Sequence, residues 1–179
     1  MESALSVRRI VITGILAAIA ILLGVTRIGF IPVPNVSGNA TIMHVPAIIG
    51  GVMEGPLVGL LVGGIFGLFS FLQASIPLFK DPLVAVLPRL FIGVTAYYSY
   101  AALRRQNEYL ALVVAAVIGT LTNTVGVLGI AILRGYLTLE ATIPILPQAV
   151  AELVIAAVIT VAVVAAWKRI EGGRKGSSV

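Results

Sequence analysis

The sequence contains no cysteine, one histidine and few charged residues. Without cysteine, disulfides and thiol chemistry are excluded, and a single histidine excludes a multi-histidine metal site. Charged residues make up 11% of the 179 residues, against about 25% in a typical soluble domain. We therefore predict that the chain binds no metal and needs no cofactor.

Catalytic motifs are also missing. The sequence has no G-x-x-x-x-G-K-[ST] phosphate loop, so ATP hydrolysis by that route is excluded. It also has no H-E-x-x-H, G-x-S-x-G or S-x-x-K motif to supply a hydrolytic site. We predict a protein that is not an enzyme. An intramembrane enzyme using Glu152 and His44 as an acid–base pair is the alternative from another class.

What the sequence has in excess is apolar residues, at 59% of the chain and a mean hydropathy of +1.11. Such a composition is typical of an integral membrane protein. A shorter run, Met43–Met53, is about eleven residues long and needs a tilted or partly re-entrant helix to cross. The runs of spanning length are Val7–Ile28, Leu57–Ala74, Leu83–Ala102, Tyr109–Leu133 and Gln148–Trp167.

The distribution of basic residues decides between five and six crossings. With six crossings, eight of the twelve basic residues fall on one side, at the N-terminus, in the loop after the fourth span and in the tail. The positive-inside rule then places both termini in the cytoplasm. We predict an all-α, multi-pass plasma-membrane protein with a six-helix domain over residues 1–171 and a disordered tail over 172–179. This placement of charge explains the net charge of +5 without nucleic-acid binding.

Small residues recur at helical spacing, which favours close approach of helices in lipid. In the first span, Gly14 and Ala18 form a small-xxx-small pair that could pack internally or dock a partner membrane protein. In the third span, glycine recurs every four residues, which predicts one tightly packed face: Gly55, Gly59, Gly63 and Gly67.

Arg89 lies roughly 9 Å into the fourth span. An arginine at membrane depth costs about 2.5–3.5 kcal/mol and cannot lose its proton, so it requires a partner. One interpretation is a salt bridge with Glu152 or Asp81. The other is a bidentate clamp for a ligand carboxylate, with Tyr97 two turns along the same face.

Other polar residues are candidates for the same site. Gln148 and Glu152 lie one turn apart in the last span, and Glu152 needs a donor, either Arg89 or a ligand. Asn123 lies mid-span and cannot satisfy its amide alone. The first external loop, 29–40, is rich in Pro, Gly and Asn and is expected to be irregular. Its polar residues form a candidate lid or simply a solvated loop, and His44 follows them as a ligand contact or a structural residue: Asn35, Ser37, Asn39 and Thr41.

Several of these segments resemble a known family, the substrate-binding S components of energy-coupling factor (ECF) vitamin transporters. The resemblance rests on NATIMHVP at 39–46, on Asp81-Pro82 followed by Leu87-Pro88-Arg89, and on the glycine-striped third span. It covers nearly the whole chain. Within the family, the chain is most similar to members assigned to pantothenate, with riboflavin, folate and biotin left open.

The resemblance implies a mechanism and partners. An S component captures a vitamin from outside under its first external loop, then associates with a transmembrane scaffold and two ATPase subunits. The family commonly docks the scaffold through A-x-x-x-A on the first helix, to which Gly14 and Ala18 are the nearest match here. A pantothenate ligand would place its carboxylate at Arg89, its amide at Asn123 or Gln148, and its hydroxyls at Glu152, His44 or Asn39.

Overall fold

A computed structural model describes residues 6–32 and 39–176 of the chain, with side chains through residue 171. The predicted all-α class and the six helices are confirmed. The six long helices are α1 (Val7–Val25), α2 (Val45–Glu54), α3 (Pro56–Leu72), α4 (Leu87–Leu103), α5 (Glu108–Leu133) and α6 (Leu146–Gly176).

Short elements at one end of the bundle connect these helices. A two-stranded antiparallel hairpin of β1 (Phe30–Pro32) and β2 (Asn39–Thr41) joins α1 to α2, with Phe30 opposite Thr41. The expectation of a wholly irregular loop is therefore wrong at its two ends, because the strands pair their backbone groups with each other. Two further connections contain short helical turns: Pro77–Lys80, Pro82–Ala85, Leu139–Thr142 and Ile143–Ile145. We call this the hairpin end.

Three glycines of the stripe, Gly59, Gly63 and Gly67, pack against α4 and the residues just before it, so the tightly packed face is confirmed for them. Gly55 is an exception: it precedes α3 at φ +103°, and a Cβ there would meet nothing within 4 Å. A Cβ at Gly59 would lie 2.7 Å from the Gly93 Cα, so neither glycine can carry a side chain without moving backbone. A Cβ at Gly67 would lie 2.9 Å from the Val86 Cα. These helices touch backbone to backbone, as small residues permit in lipid. The contact fixes the position of α4, which carries Arg89.

α2 lies at the centre of the bundle. Its residues from Val45 to Val52 are all buried, and Ile48 contacts Gly119 of α5. Among the described residues, four segments are long and apolar enough to cross a membrane: Val7–Val25, Pro82–Leu103, Glu108–Leu133 and Leu139–Glu171. α2 and α3 are shorter apolar helices, and at 10 residues α2 spans about 15 Å.

Ion pairs gather at the opposite end of the bundle. Arg8 contacts Glu54 at 3.1 Å and Glu171 at 2.9 Å, joining α1, α2 and α6. Lys168 pairs with Glu108 and donates to the Tyr100 hydroxyl over 2.8 Å. α6 extends through Gly176, into the expected tail, while 177–179 lie outside the described residues.

Candidate ligand-binding site

A cavity of about 70 Å³ lies at the hairpin end between α4, α5, α6 and the hairpin. It brings together five of the seven residues predicted to contact a ligand, from four segments of the chain. These are Asn39, Arg89, Asn123, Gln148 and Glu152. The remaining lining residues are Thr41, Phe79, Thr124, Val127, Leu128, Ile145 and Ala149. The cavity therefore combines one cation, one acid and three side-chain amides with an apolar wall.

Arg89 is buried, with 4% of its surface exposed, and its contacts are unusual for a buried cation. Its Nη1 donates to the Val84 carbonyl oxygen, and its guanidinium carbon lies 5.5 Å from the Phe66 ring centre and 5.0 Å from that of Phe79. Its Nε is buried without a hydrogen-bond partner. Among the described residues no carboxylate lies within 4.0 Å of it, although Glu152 acts on it electrostatically.

The alternative partner considered for Arg89, Asp81, is bound elsewhere. Its Oδ2 accepts from Arg134 Nε at 2.8 Å, and its Oδ1 accepts from the Leu83 N–H at 2.9 Å. Burial opposes ionisation of the Asp81 carboxyl, but the hydrogen bonds from Leu83 and Arg134 outweigh it and hold the pKa of Asp81 below its usual value. The interpretation of Arg89 as half of a salt bridge with Asp81 is therefore wrong.

Glu152 and Gln148 tie the hairpin to α6. The Glu152 carboxylate accepts from the Thr41 N–H at 2.7 Å and from the Gln148 side-chain amide at 3.0 Å. The same amide donates to the Asn39 carbonyl oxygen at 3.1 Å. The predicted need of Glu152 for a donor is thus met by strand β2. This strand of the hairpin also lines the cavity, through Asn39 and Thr41. Asn35 and Ser37, the other polar residues of the expected lid, lie outside the described residues.

Two adjacent polar residues in the middle of α5, Thr122 and Asn123, have different roles. Thr122 donates to the Ile118 carbonyl oxygen of its own helix, and its hydroxyl lies 2.8 Å from that of Thr95 on α4. Asn123 is buried and lines the cavity, and its Oδ1 has no hydrogen-bond partner among the described residues. Asn123 therefore has a free acceptor for a ligand donor. Leaving a buried amide oxygen unsatisfied costs about 1–3 kcal/mol, and a ligand donor would remove that cost.

His44 and Tyr97 are not among the cavity-lining residues. His44 is fully buried at the start of α2, where its Nε2 lies 2.9 Å from the Thr120 hydroxyl of α5. Tyr97 is half-buried and packs edge to face against Tyr98 at 5.2 Å. Between Arg89 and Tyr97 on the same face of α4, Gly93 packs directly against the backbone of α3.

Gly14 and Ala18 are both exposed on α1, and a Cβ at Gly14 would meet nothing within 4 Å. Of the two interpretations offered for this pair, internal packing does not describe Gly14. The buried residues of α1 lie on its other face: Thr13, Ala17, Ala20 and Gly24.

Sequence reasoning missed several lining residues. Phe79 lies in the short turn Pro77–Lys80, with no periodic signal to mark it, and this turn places its ring against the Arg89 guanidinium. Val127 follows Asn123 by one helical turn, and this spacing could have placed it on the cavity face. Ile145 and Leu128 complete an apolar wall that composition could not distinguish from lipid-facing residues.

Comparisons with known proteins agree on one family. Residues 8–164 match the family model described as "ECF transporter, substrate-specific component". The chain is 32% identical over 152 residues to the pantothenic acid transporter PanT of Lactococcus lactis subsp. cremoris (strain MG1363). That alignment covers 70% of this chain and 76% of the relative.

A solved structure, of the S component of a bacterial ECF transporter, shows the same fold. Its TM-score to this chain is 0.66, and the match covers 94% of this chain and 98% of that one. The sequence identity is 15%, so this likeness concerns the fold alone.

Proposed function

Because the chain belongs to the family of ECF transporter substrate-specific components, a family of multi-pass membrane transporter subunits and not of enzymes, we propose that it binds pantothenate. Pantothenate enters the cavity at the hairpin end. The chain then delivers it through a transmembrane scaffold and two ATPase subunits. Both termini lie in the cytoplasm, so the hairpin end faces outward.

One observation carries the proposal: Arg89 lines the cavity as a buried guanidinium with a free Nε and no carboxylate in contact among the described residues. Leaving a buried charge unpaired costs several kcal/mol, so the site gains by taking up an anion. A planar guanidinium binds a carboxylate through two hydrogen bonds. Pantothenate carries one carboxylate, which fits a site with one such cation.

The rest of the cavity fits the other groups of pantothenate. The free Oδ1 of Asn123 can accept from the ligand amide or a hydroxyl. The gem-dimethyl group suits the apolar wall of Val127, Leu128 and Ile145. Phe79 is the one aromatic residue among the described lining residues, which favours a narrow aliphatic ligand over the flat ring system of riboflavin.

Ligand entry requires the hairpin to move. A volume of about 70 Å³ is smaller than the ~300–1,000 Å³ of small-molecule pockets. Among the described residues, two hydrogen bonds join the hairpin to α6, from the Thr41 N–H to Glu152 and from the Gln148 amide to the Asn39 carbonyl oxygen. They are few enough to break and reform, so strand β2 acts as the closing element over the bound ligand.

Binding to the purified protein tests this proposal. We expect pantothenate to bind with a Kd below the micromolar range by isothermal titration calorimetry, and panthenol, in which an alcohol replaces the carboxylate, to bind much more weakly. Mass spectrometry of small molecules that co-purify with the chain identifies its ligand independently. Tight binding of riboflavin, folate or biotin in place of pantothenate would overturn the ligand assignment, and binding of none of them would overturn the function.

A further inference from the structure

The ion pair between Asp81 and Arg134 joins three segments at the hairpin end. Asp81 is 6% exposed and follows the turn Pro77–Lys80, while Arg134 directly follows the last residue of α5. The Asp81 carboxylate accepts from Arg134 Nε at 2.8 Å through one oxygen and from the Leu83 N–H at 2.9 Å through the other. The Tyr136 hydroxyl lies 3.4 Å from the first oxygen. One side chain therefore anchors the connection between α3 and α4 to the end of α5.

Within the part of the chain that the structure describes, the anchored connection carries two of the three groups that contact the Arg89 guanidinium. Phe79, two residues before Asp81, places its ring 5.0 Å from the guanidinium carbon. Val84, three residues after Asp81, accepts from Nη1 through its carbonyl oxygen. The third group is Phe66, from α3, at 5.5 Å. Since Asp81 lies between Phe79 and Val84, its anchor fixes both at once.

The pair also keeps the Asp81 carboxylate occupied. The sequence allowed Asp81 as a partner for Arg89, and a carboxylate there would neutralise the cation and compete with an anionic ligand. Arg134 binds Asp81 on the side of α5, with 52% of its own side chain exposed. Arg89 thus lines the cavity with an Nε that has no hydrogen-bond partner among the described residues.

We propose that Asp81 and Arg134 are positioning residues for the anion end of the ligand site. Neither residue is among the described lining residues of the cavity. Their ion pair holds the loop that orients Arg89, and it keeps the Asp81 carboxylate from binding the Arg89 guanidinium. This inference rests on the proposed function, because it assumes a ligand with a carboxylate. It predicts that breaking the pair reduces selectivity for the carboxylate, and not only overall affinity.

Two substitutions isolate the ion pair. Asp81→Asn removes the charge but keeps a good helix-capping side chain for Leu83. Arg134→Gln removes the other charge of the pair. Because the Arg134 side chain is half-exposed, this variant tests the ion pair even if Asp81→Asn fails to fold. Arg134→Lys keeps the charge as the conservative variant. Arg8→Gln breaks an ion pair of similar exposure, with Glu54, at the opposite end of the bundle and is the matched control.

The readout is the Kd of each variant for pantothenate and for panthenol. We expect Asp81→Asn and Arg134→Gln to weaken pantothenate binding by about tenfold to hundredfold, the worth of one well-placed charge-assisted hydrogen bond. Panthenol binding should change by about threefold or less. Arg134→Lys should recover part of the loss, and Arg8→Gln should behave as the wild type.

Two outcomes would overturn the inference while leaving the proposed function intact. In one, both variants bind pantothenate as the wild type does. In the other, they lose affinity for both ligands equally, which indicates general loosening of the fold. A wild-type chain that binds no pantothenate overturns the proposed function itself, and this inference with it.

Discussion

The backbone N–H of Thr41 donates a 2.7 Å hydrogen bond to the Glu152 carboxylate, joining strand β2 to α6 across 111 residues of sequence. A hydrogen bond to a charged group contributes about 1.5–3 kcal/mol. The bond therefore holds the hairpin over the cavity while remaining weak enough to open.

We expect Glu152→Ala to loosen the hairpin. Loss of the carboxylate leaves the Thr41 N–H without its acceptor, so hydrogen exchange at that amide should accelerate about tenfold to hundredfold. Mass spectrometry of exchange in peptides covering β2 measures this. Glu171→Ala, which removes an acid at the other end of the same helix, is the control. Unchanged exchange at Thr41 would show that the strand is held by other contacts.

Arg89→Ala should abolish pantothenate binding with the bundle still folded. The substitution removes the guanidinium that binds the carboxylate, and we expect a loss of at least about a hundredfold, or 2.7 kcal/mol. Arg89→Lys should recover only part of this, because lysine lacks the bidentate geometry. Calorimetry gives the affinities, and thermal unfolding in detergent reports the fold. A variant that cannot insert or unfolds on purification would assign Arg89 a structural role instead.

Gly93→Ala should severely destabilise the bundle. A Cβ there would clash with the Gly59 backbone and lie 2.5 Å from the Ala47 carbonyl oxygen, so helices must separate. We expect a loss of about 3 kcal/mol or more in the free energy of unfolding. Gly14→Ala is the matched control, since its Cβ meets nothing within 4 Å. The midpoint of unfolding in detergent compares the two, and equal midpoints would contradict the close packing of α3 and α4.

Gly14→Leu and Ala18→Leu should block transport without affecting ligand binding. Both positions are exposed on α1, where a large side chain would prevent close approach of a scaffold helix. We expect the variants to bind pantothenate normally but to fail to co-purify with the scaffold and ATPase subunits. Gly129→Leu, at another glycine with open space around its Cβ, is the control. Normal co-purification would place the docking surface elsewhere.

The Asp81 ion pair should make stability depend on pH. The pKa of Asp81 is lowered in the folded protein, so its contribution is complete above the unfolded pKa of about 3.8 and is lost as the pH falls through the folded value. The difference in melting temperature between the wild type and Asp81→Asn should therefore be largest near pH 7 and shrink below about pH 4. A difference independent of pH would mean that the asparagine disturbs packing rather than charge.

Much of the site was predictable because intramembrane polar residues are few. Arg89, Asn123, Gln148 and Glu152 were candidates since each is costly in lipid without a partner. Their pairing was not predictable. Asp81 lies eight residues before Arg89 and was an equally plausible partner, yet it binds Arg134 because the end of α5 lies beside the loop. His44 carried the same polar signal, but its position in the bundle places it against Thr120.

The sequence by itself determined that this is an all-α membrane protein of six helices, because hydropathy and small-residue spacing act locally along the chain. It also determined that Arg89 requires an interaction at membrane depth. Only the tertiary structure decided which interaction. Hairpin strand β2, the loop that carries Phe79, and the residues of α5 and α6 that line the cavity lie far apart in sequence. The backbone contact between α3 and α4, the Asp81–Arg134 pair and the Thr41–Glu152 hydrogen bond bring them together around Arg89, whose Nε has no hydrogen-bond partner among the described residues.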